Sequence, residues 1–138
     1  RHFFEVNRYF VVIAALKSLS VQTISVWARR TEAAEEIASR FGVRAISDVE
    51  RRECDVCIKA ISEDIAVPLP ILMPSAIGID LQYGTTTKFM GELHQKNIQV
   101  VDGLPMLLAQ ALEQFRFFTG IVPSPRDFSL ISSLFHGK

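Results

Sequence analysis

The feature that most constrains this chain is the alternation of helix-like and strand-like segments along nearly its whole length. Tyr9–Leu19 has helix length and is apolar on several sides. Gln22–Trp27 alternates and is rich in β-branched residues, which predicts a strand. Thr31–Phe41 predicts a helix with Ala34, Ile37, Ala38 and Phe41 on one stripe. Its acids, Glu32, Glu35 and Glu36, lie early, where the helix dipole favours them, and Gly42 stops it. Val43–Ile46 and Cys54–Ala60 predict further strands, with a helical turn opening at Ser47 or Asp48 between them. The three prolines of Val67–Pro74 exclude that stretch from a central strand or a helix interior. After it come a strand at Ala76–Leu81, a helix at Thr86–Lys96, a short strand at Gln99–Val101 and a long helix at Leu104–Thr119. Gly120 closes that helix, and Pro123 and Pro125 separate it from a last one at about Asp127–Phe135. This order predicts an α/β layer architecture with a mainly parallel sheet. With no internal repeat or low-complexity linker, residues 1–138 read as a single domain.

Composition narrows what such a domain does. Fifteen basic and fifteen acidic residues cancel, so the chain lacks the electrostatic footprint of a general nucleic-acid binder. The basic pairs Arg29–Arg30 and Arg51–Arg52 are each large enough for one phosphate and too small for a polyanion track. The apolar run Tyr9–Leu16, bracketed by Arg8 and Lys17, falls far short of a membrane span of about 18–20 residues. Apolar residues nevertheless make up 49% of the chain, which points to a surface that another domain or a second copy covers. The same run, preceded by Phe3 and Phe4, is expected to be buried against a partner, so a homo-oligomer is one expectation. Cys54 and Cys57 form a C-x-x-C, but His2, His94 and His136 supply no ligand spacing for zinc. The two thiols therefore read as structural, as suits a reducing cytoplasm, and no metal site is expected.

Several short motifs carry a resemblance. Asp102-Gly103-Leu104-Pro105-Met106-Leu107 is followed by Gln110, Phe115, Thr119-Gly120 and Pro123. Upstream stand Asp80-Leu81-Gln82-Tyr83, the strand Asp55-Val56-Cys57-Ile58-Lys59-Ala60, and Val26-Trp27-Ala28-Arg29-Arg30 leading into Ala34-Glu35-Glu36-Ile37-Ala38. In this order the segment Val21–Arg126 resembles the NADP-binding, C-terminal half of the shikimate/quinate dehydrogenase family. The family pattern is D-G-x-G-M-L with a later glutamine, then F-x-x-x-T-G-x-x-P, D-x-x-Y, N-R-T and D-x-V-I-N-A. The resemblance implies a doubly wound (Rossmann-like), mostly parallel sheet flanked by helices.

It also implies roles. Arg29 and Arg30 follow the second strand of the implied fold, where guanidinium groups suit the 2′-phosphate of NADP; the plain alternative is a solvated turn pair. Tyr83 and Gln110 match the positions that touch the substrate, with a strand-end aromatic and a helix-flank amide as the alternatives. Gln110 interrupts the stripe Leu107, Ala111, Phe115, Phe118, and so is expected beside a buried face. Ala60 and Gly103 match cofactor-binding positions, and Leu81 and Met106 match positions that line the nicotinamide pocket, although both serve equally well as core. Asp80 ends a strand where open α/β sheets place ligands, or simply organises the loop. His94 reads as a surface residue.

The departures shape the expected function. The family opens this domain with G-x-G-G, whose glycines let backbone N–H groups reach the pyrophosphate at a helix N-terminus. That turn should lie near Phe4–Asn7, and no glycine is there, which makes residues 1–20 atypical. Ala28, Lys59, Ile61, Ser62 and Pro105 replace the family's Asn, Asn, Thr, Pro and Gly. The family's catalytic lysine and aspartate belong to a substrate domain that the sequence does not contain, so no catalytic residue is assigned. The expectation is the NADP-binding domain of an oxidoreductase that transfers a hydride between NADP and shikimate or 3-dehydroshikimate. Alone it should be inactive and bind NADP weakly or not at all. The alternative is a non-catalytic module of the same fold that serves association or partner binding.

Overall fold

The structure, a computed structural model, describes residues 6–136, and their side chains over 9–134. Five helices and five strands alternate as the sequence predicts: α1 (Val6–Ser18), β1 (Ser25–Val26), α2 (Thr31–Phe41), β2 (Arg44–Ala45), β3 (Glu53–Lys59), β4 (Ile71–Asp80), α3 (Lys88–Gln95), β5 (Gln99–Val101), α4 (Leu104–Thr119) and α5 (Pro125–His136). A single 3-10 turn at Val49–Arg51 stands where Ser47 or Asp48 was expected to open one. All strand pairs are parallel, and they form two ladders, β1-β2 and β3-β4-β5. The architecture is the doubly wound α/β type.

Local chemistry sets the helix ends. Gly42 takes a left-handed φ of 61° and donates its N–H to the Ala38 carbonyl, closing α2. Gly120 does the same for α4, at φ 71° with Arg116 as acceptor. Thr87 caps α3, its side chain accepting from the Met90 N–H at 3.3 Å. Before α5, the Ser124 N–H donates to Asp127 Oδ2 at 2.7 Å and the Asp127 N–H donates back to Ser124 Oγ at 3.3 Å, a reciprocal capping box. The Ser124 hydroxyl, which donates to Asp127 Oδ2 at 2.7 Å, and then the Ser124 N–H hold the Asp127 carboxyl below the usual carboxylate range.

The main core lies between α3 and the three-stranded ladder. Phe89 and Leu93, one turn apart, meet Ala76 and Ile98, with Cys57, Val67, Leu69, Leu72 and Val100 packed around them. A Cβ at Gly78 would fall 2.1 Å from Leu93 Cδ1, so β4 and α3 touch there. On the other side, α1 rests on the end of α2. Phe10 meets the Phe41 ring at 4.8 Å and the Arg40 guanidinium at 4.3 Å, while Lys17 bonds the Phe41 carbonyl. The run Tyr9–Leu16 is thus partly covered inside the chain: Ile13 is buried and Val11 is exposed. The expectation for Phe3 and Phe4 lies outside the described residues.

Three expectations need correction. Pro74 does lie inside a central strand, because β4 runs from Ile71 to Asp80 between β3 and β5. The register explains how: Cys54 pairs Leu72 but Val56 pairs Ile77, so residues 73–76 bulge out of the ladder where no N–H is required of proline. The segments Gln22–Trp27 and Val43–Ile46 form ladders of only two residues each. Finally, the stripe Leu107, Ala111, Phe115, Phe118 is not a buried face: only Leu104 and Leu108 of α4 are buried, and Gln110 stands exposed on the helix.

Candidate functional site at the strand ends

Strands β3 and β4 end side by side, and their last residues, Lys59 and Asp80, form a buried ion pair. Lys59 Nζ lies 3.3 Å from Asp80 Oδ2, with 2% and 0% of the two side chains exposed. The ammonium also donates to the Ile61 carbonyl at 3.3 Å and to Gln82 Oε1 at 3.2 Å. Asp80 in turn accepts from Thr87 Oγ1 at 2.6 Å and from the Gln82 N–H at 3.0 Å. Gln82 Nε2 bonds the Ser62 carbonyl. Burial of charge demands this much satisfaction. The network ties the exits of β3 and β4 to the cap of α3, and so fixes the loop that carries Tyr83.

The start of α4 closes onto the same place. The Leu81 N–H donates to the Lys59 carbonyl at 3.0 Å, and the Gly103 N–H donates to the Gln82 carbonyl at 2.8 Å. A Cβ at Gly103 would sit 2.2 Å from the Leu81 carbonyl oxygen, so only glycine permits this approach. Asp102 caps the turn through the Leu104 N–H at 3.1 Å. Leu81 and Gly103 therefore meet at the strand ends, where Ala60 follows Lys59 along the chain. Met106 and Gln110 follow Gly103 at three and seven positions along α4, on the face that Gly103 begins. Met106 is half-buried, and Gln110 is exposed. Tyr83 is exposed too, and with Ser62, Leu81, Gln82 and Thr85 it lines a pocket of about 180 Å³ at this edge.

Arg29 and Arg30 stand apart from that pocket, at the exit of β1. Arg30 occupies the N-cap of α2 in extended conformation, its carbonyl accepting from Ala33 and Ala34. Arg29 pairs with Glu63 at 2.7 Å, and both side chains are largely exposed. An exposed pair of this kind holds weakly and can yield to a stronger anion. In the other arginine pair Arg52 grips Asp48 through Nε and Nη2 and holds that carboxyl below its ordinary range. The cysteines are free thiols. Burial pushes Cys57 up to about 12 and raises Cys54 as well.

Of this cluster, sequence reasoning singled out Asp80, and noted Lys59 only as a departure from the family asparagine. Gln82 and Thr87 as its partners went unassigned. A lysine closing the apolar strand Val56-Cys57-Ile58 was the available signal, since a cation there needs a buried acid.

Fold and strand-end cluster together define a doubly wound α/β domain whose polar side chains gather at the carboxyl ends of its strands, where such sheets bind ligands. Known proteins carry the assignment further. The family model described as Shikimate 5'-dehydrogenase C-terminal domain matches residues 103–127. The shikimate dehydrogenase (NADP(+)) of Thermus thermophilus is 32% identical over 121 residues, covering 83% of this chain and 46% of that protein. The crystal structure of the shikimate 5-dehydrogenase of Thermus thermophilus in complex with NADP(H) and shikimate superposes with a TM-score of 0.72 at 28% identity, covering 90% of this chain and 50% of the other. A shikimate 5-dehydrogenase-like protein matches at a TM-score of 0.73 and 19% identity, covering 94% and 52%, which supports the fold alone. Over the region it shares with them, the chain is similar to the C-terminal portion of shikimate dehydrogenases. It spans about half the length of the relatives it matches.

Proposed function

We propose that this chain is the cofactor-holding domain of a shikimate dehydrogenase-like oxidoreductase, with NADP as the nucleotide and a hydroxylated cyclohexene acid of the shikimate or quinate class as the substrate. The observation that carries the reading is the close approach of Gly103 to Leu81 beside the Tyr83 pocket at the strand ends. In this reading Arg29 and Arg30 receive the 2′-phosphate, their planar donors matching its oxygens. Ala60, Leu81, Gly103 and Met106 offer the nicotinamide an apolar wall, and the Lys59–Asp80 network holds that wall still. Tyr83 and Gln110, both exposed, present a phenol and an amide to substrate hydroxyls. The nicotinamide would supply the hydride; the chain supplies placement.

The fit to NADP is incomplete at the diphosphate. Val6 and Asn7 already belong to the first turn of α1, and the rest of the expected Gly-rich turn, Phe4 and Glu5, lies outside the described residues. No glycine occurs in this stretch, so backbone access to a pyrophosphate is poor. Binding by this chain is therefore weak, and any preference resides in Arg29 and Arg30. Calorimetric titration with NADP and with NAD tests this. The expected outcome is a dissociation constant well above micromolar for both, with NADP favoured and the preference lost in the Arg29→Ala/Arg30→Ala double variant. Micromolar binding, or a preference untouched by the double substitution, would overturn the assignment.

A second reading, a non-catalytic module that serves association, is favoured by one observation. Phe117 and Phe118 at the end of α4 are 84% and 81% exposed, and Ile121, Val122, Leu130 and Leu134 in the following loop and α5 are exposed too. So large an uncovered apolar region is the mark of a contact surface.

A further inference from the structure

Arg29 and Arg30 follow β1 with two guanidinium groups, yet one of them already holds an acid. Arg29 Nη2 lies 2.7 Å from Glu63 Oε2. Glu63 belongs to none of the motifs that carry the resemblance, and it stands in the loop between β3 and β4. That loop is fixed on both sides of Glu63. The Ser62 carbonyl accepts from Gln82 Nε2, and Asp64 Oδ1 accepts from the Lys88 N–H, the first of α3, at 2.8 Å. Gln82 is itself bound to the buried Lys59–Asp80 pair. Arg29 is anchored in the same way, because the next residue is the N-cap of α2 and its carbonyl accepts from Ala33 and Ala34. The backbone on each side thus brings the carboxylate to the guanidinium, and mainly side-chain freedom is left to oppose the pair.

We propose that Glu63 is a specificity-determining residue: its carboxylate occupies Arg29 and disfavours a 2′-phosphate there, narrowing the preference for 2′-phosphorylated over unphosphorylated adenine nucleotides. The proposal rests on the reading that Arg29 and Arg30 receive that phosphate. Two penalties fall on the phosphate alone. It must displace Glu63 from Arg29, which for an exposed pair weakens binding by up to about fivefold. The displaced carboxylate stays on its anchored loop, and like charges about 5 Å apart in water repel enough to weaken binding by about fourfold more. A 2′-hydroxyl meets neither penalty. It is neutral, and as a donor it can give a hydrogen bond to the same carboxylate. A repulsive group of this kind discriminates by acting on one ligand and leaving its competitor alone.

The test titrates the 138-residue chain, followed by two-dimensional NMR at low ionic strength, with adenosine 2′,5′-bisphosphate and with adenosine 5′-monophosphate. The two probes differ only in the 2′-phosphate, so comparing them separates an effect at that group from a general change in charge. Glu63→Gln removes the charge and keeps the shape. Expected is bisphosphate binding tighter by about tenfold, and by about threefold at the least, with the monophosphate moved by less than about twofold. In an Arg29→Ala background the same substitution should bring no gain. No gain from Glu63→Gln, while Arg29→Ala/Arg30→Ala still weakens the bisphosphate, overturns the role of Glu63 and leaves the phosphate reading standing. An equal gain for both probes, or a gain that survives without Arg29, overturns that role too. A bisphosphate that binds no better than the monophosphate in every version, or no binding of either at tens of millimolar, overturns the phosphate reading and the role of Glu63 with it.

Discussion

Breaking the Lys59–Asp80 pair should cost more stability than any other two-residue change at the strand ends. Asp80→Asn leaves the Lys59 ammonium buried, facing only the Ile61 carbonyl and Gln82 Oε1. Lys59→Met leaves the Asp80 carboxylate with the Thr87 hydroxyl and the Gln82 N–H alone. Removing one partner of a buried pair typically costs about 3–5 kcal/mol. The contacts of Nζ measure 3.2–3.4 Å, long for charge-assisted bonds, so the low end of that range applies. Each single change is therefore expected to cost about 3 kcal/mol, a large share of a domain stability of roughly 5–15 kcal/mol.

The double variant separates this account from simple loss of packing. With both charges gone, methionine fills the lysine's place and asparagine still accepts from Thr87 or the Gln82 N–H. Lys59→Met/Asp80→Asn should then cost about 3 kcal/mol, not the sum of about 6, giving a coupling of about 3 kcal/mol. Urea unfolding followed through Trp27 fluorescence measures it. With a slope of roughly 1.5 kcal/mol per molar, each single variant loses about 2 M in midpoint. Single losses below about 1 kcal/mol, or costs that add within about 0.5 kcal/mol, would refute the view that this pair holds the strand ends together.

Two further outcomes follow from the same structure. Gly103→Ala should destabilise by about 1–3 kcal/mol and by more than Gly78→Ala, because its Cβ meets the Leu81 backbone while the Cβ at Gly78 meets the movable end of Leu93; the reverse order in thermal unfolding would contradict this. Cys57, pushed up to about 12 in the fold from an ordinary 9.0, favours the protonated thiol, so its contribution to stability is intact below about pH 9 and is lost as pH rises towards 12. Native alkylation at pH 8 should accordingly be slow at Cys57 until denaturant is added, and rapid native labelling there would show that the thiol is not held as described.

The helices were legible in the sequence because each has its own start and stop chemistry. Thr31–Phe41 with Gly42, and Leu104–Thr119 with Gly120, were read to the residue, since a left-handed glycine ends a helix by local geometry alone. Strand extents were not, because a ladder depends on what lies beside it. Gln22–Trp27 has the composition of a six-residue strand, yet pairs over two residues against β2. Pro74 failed in the opposite sense: the rule against central proline holds for ladder positions, and the sequence does not announce a bulge. At the site, Tyr83, Gln110 and Gly103 could be named from motifs. The pairing of Lys59 with Asp80 joins residues 21 apart, and no local pattern encodes such a contact.

The apolar surplus of the sequence was read as a surface awaiting cover, with Tyr9–Leu16 as its expected seat. The structure finds exposed apolar residues elsewhere as well. Within that run Phe10 packs on Phe41 and Ile13 is buried, with Val11 left exposed, while Val56 lies open on the edge strand β3 and Phe117 and Phe118 are exposed at the end of α4. The two open regions differ in what can satisfy them. An unpaired strand edge presents N–H and C=O groups in a fixed row, so it accepts only another strand in register and direction. A pair of aromatic side chains on a helix end imposes no such register and can meet any complementary apolar face. Strand pairing along β3 would therefore protect residues 53–59 while leaving Phe117 and Phe118 as exposed as before. The two kinds of incompleteness in this domain are thus physically independent, and closing one does not close the other.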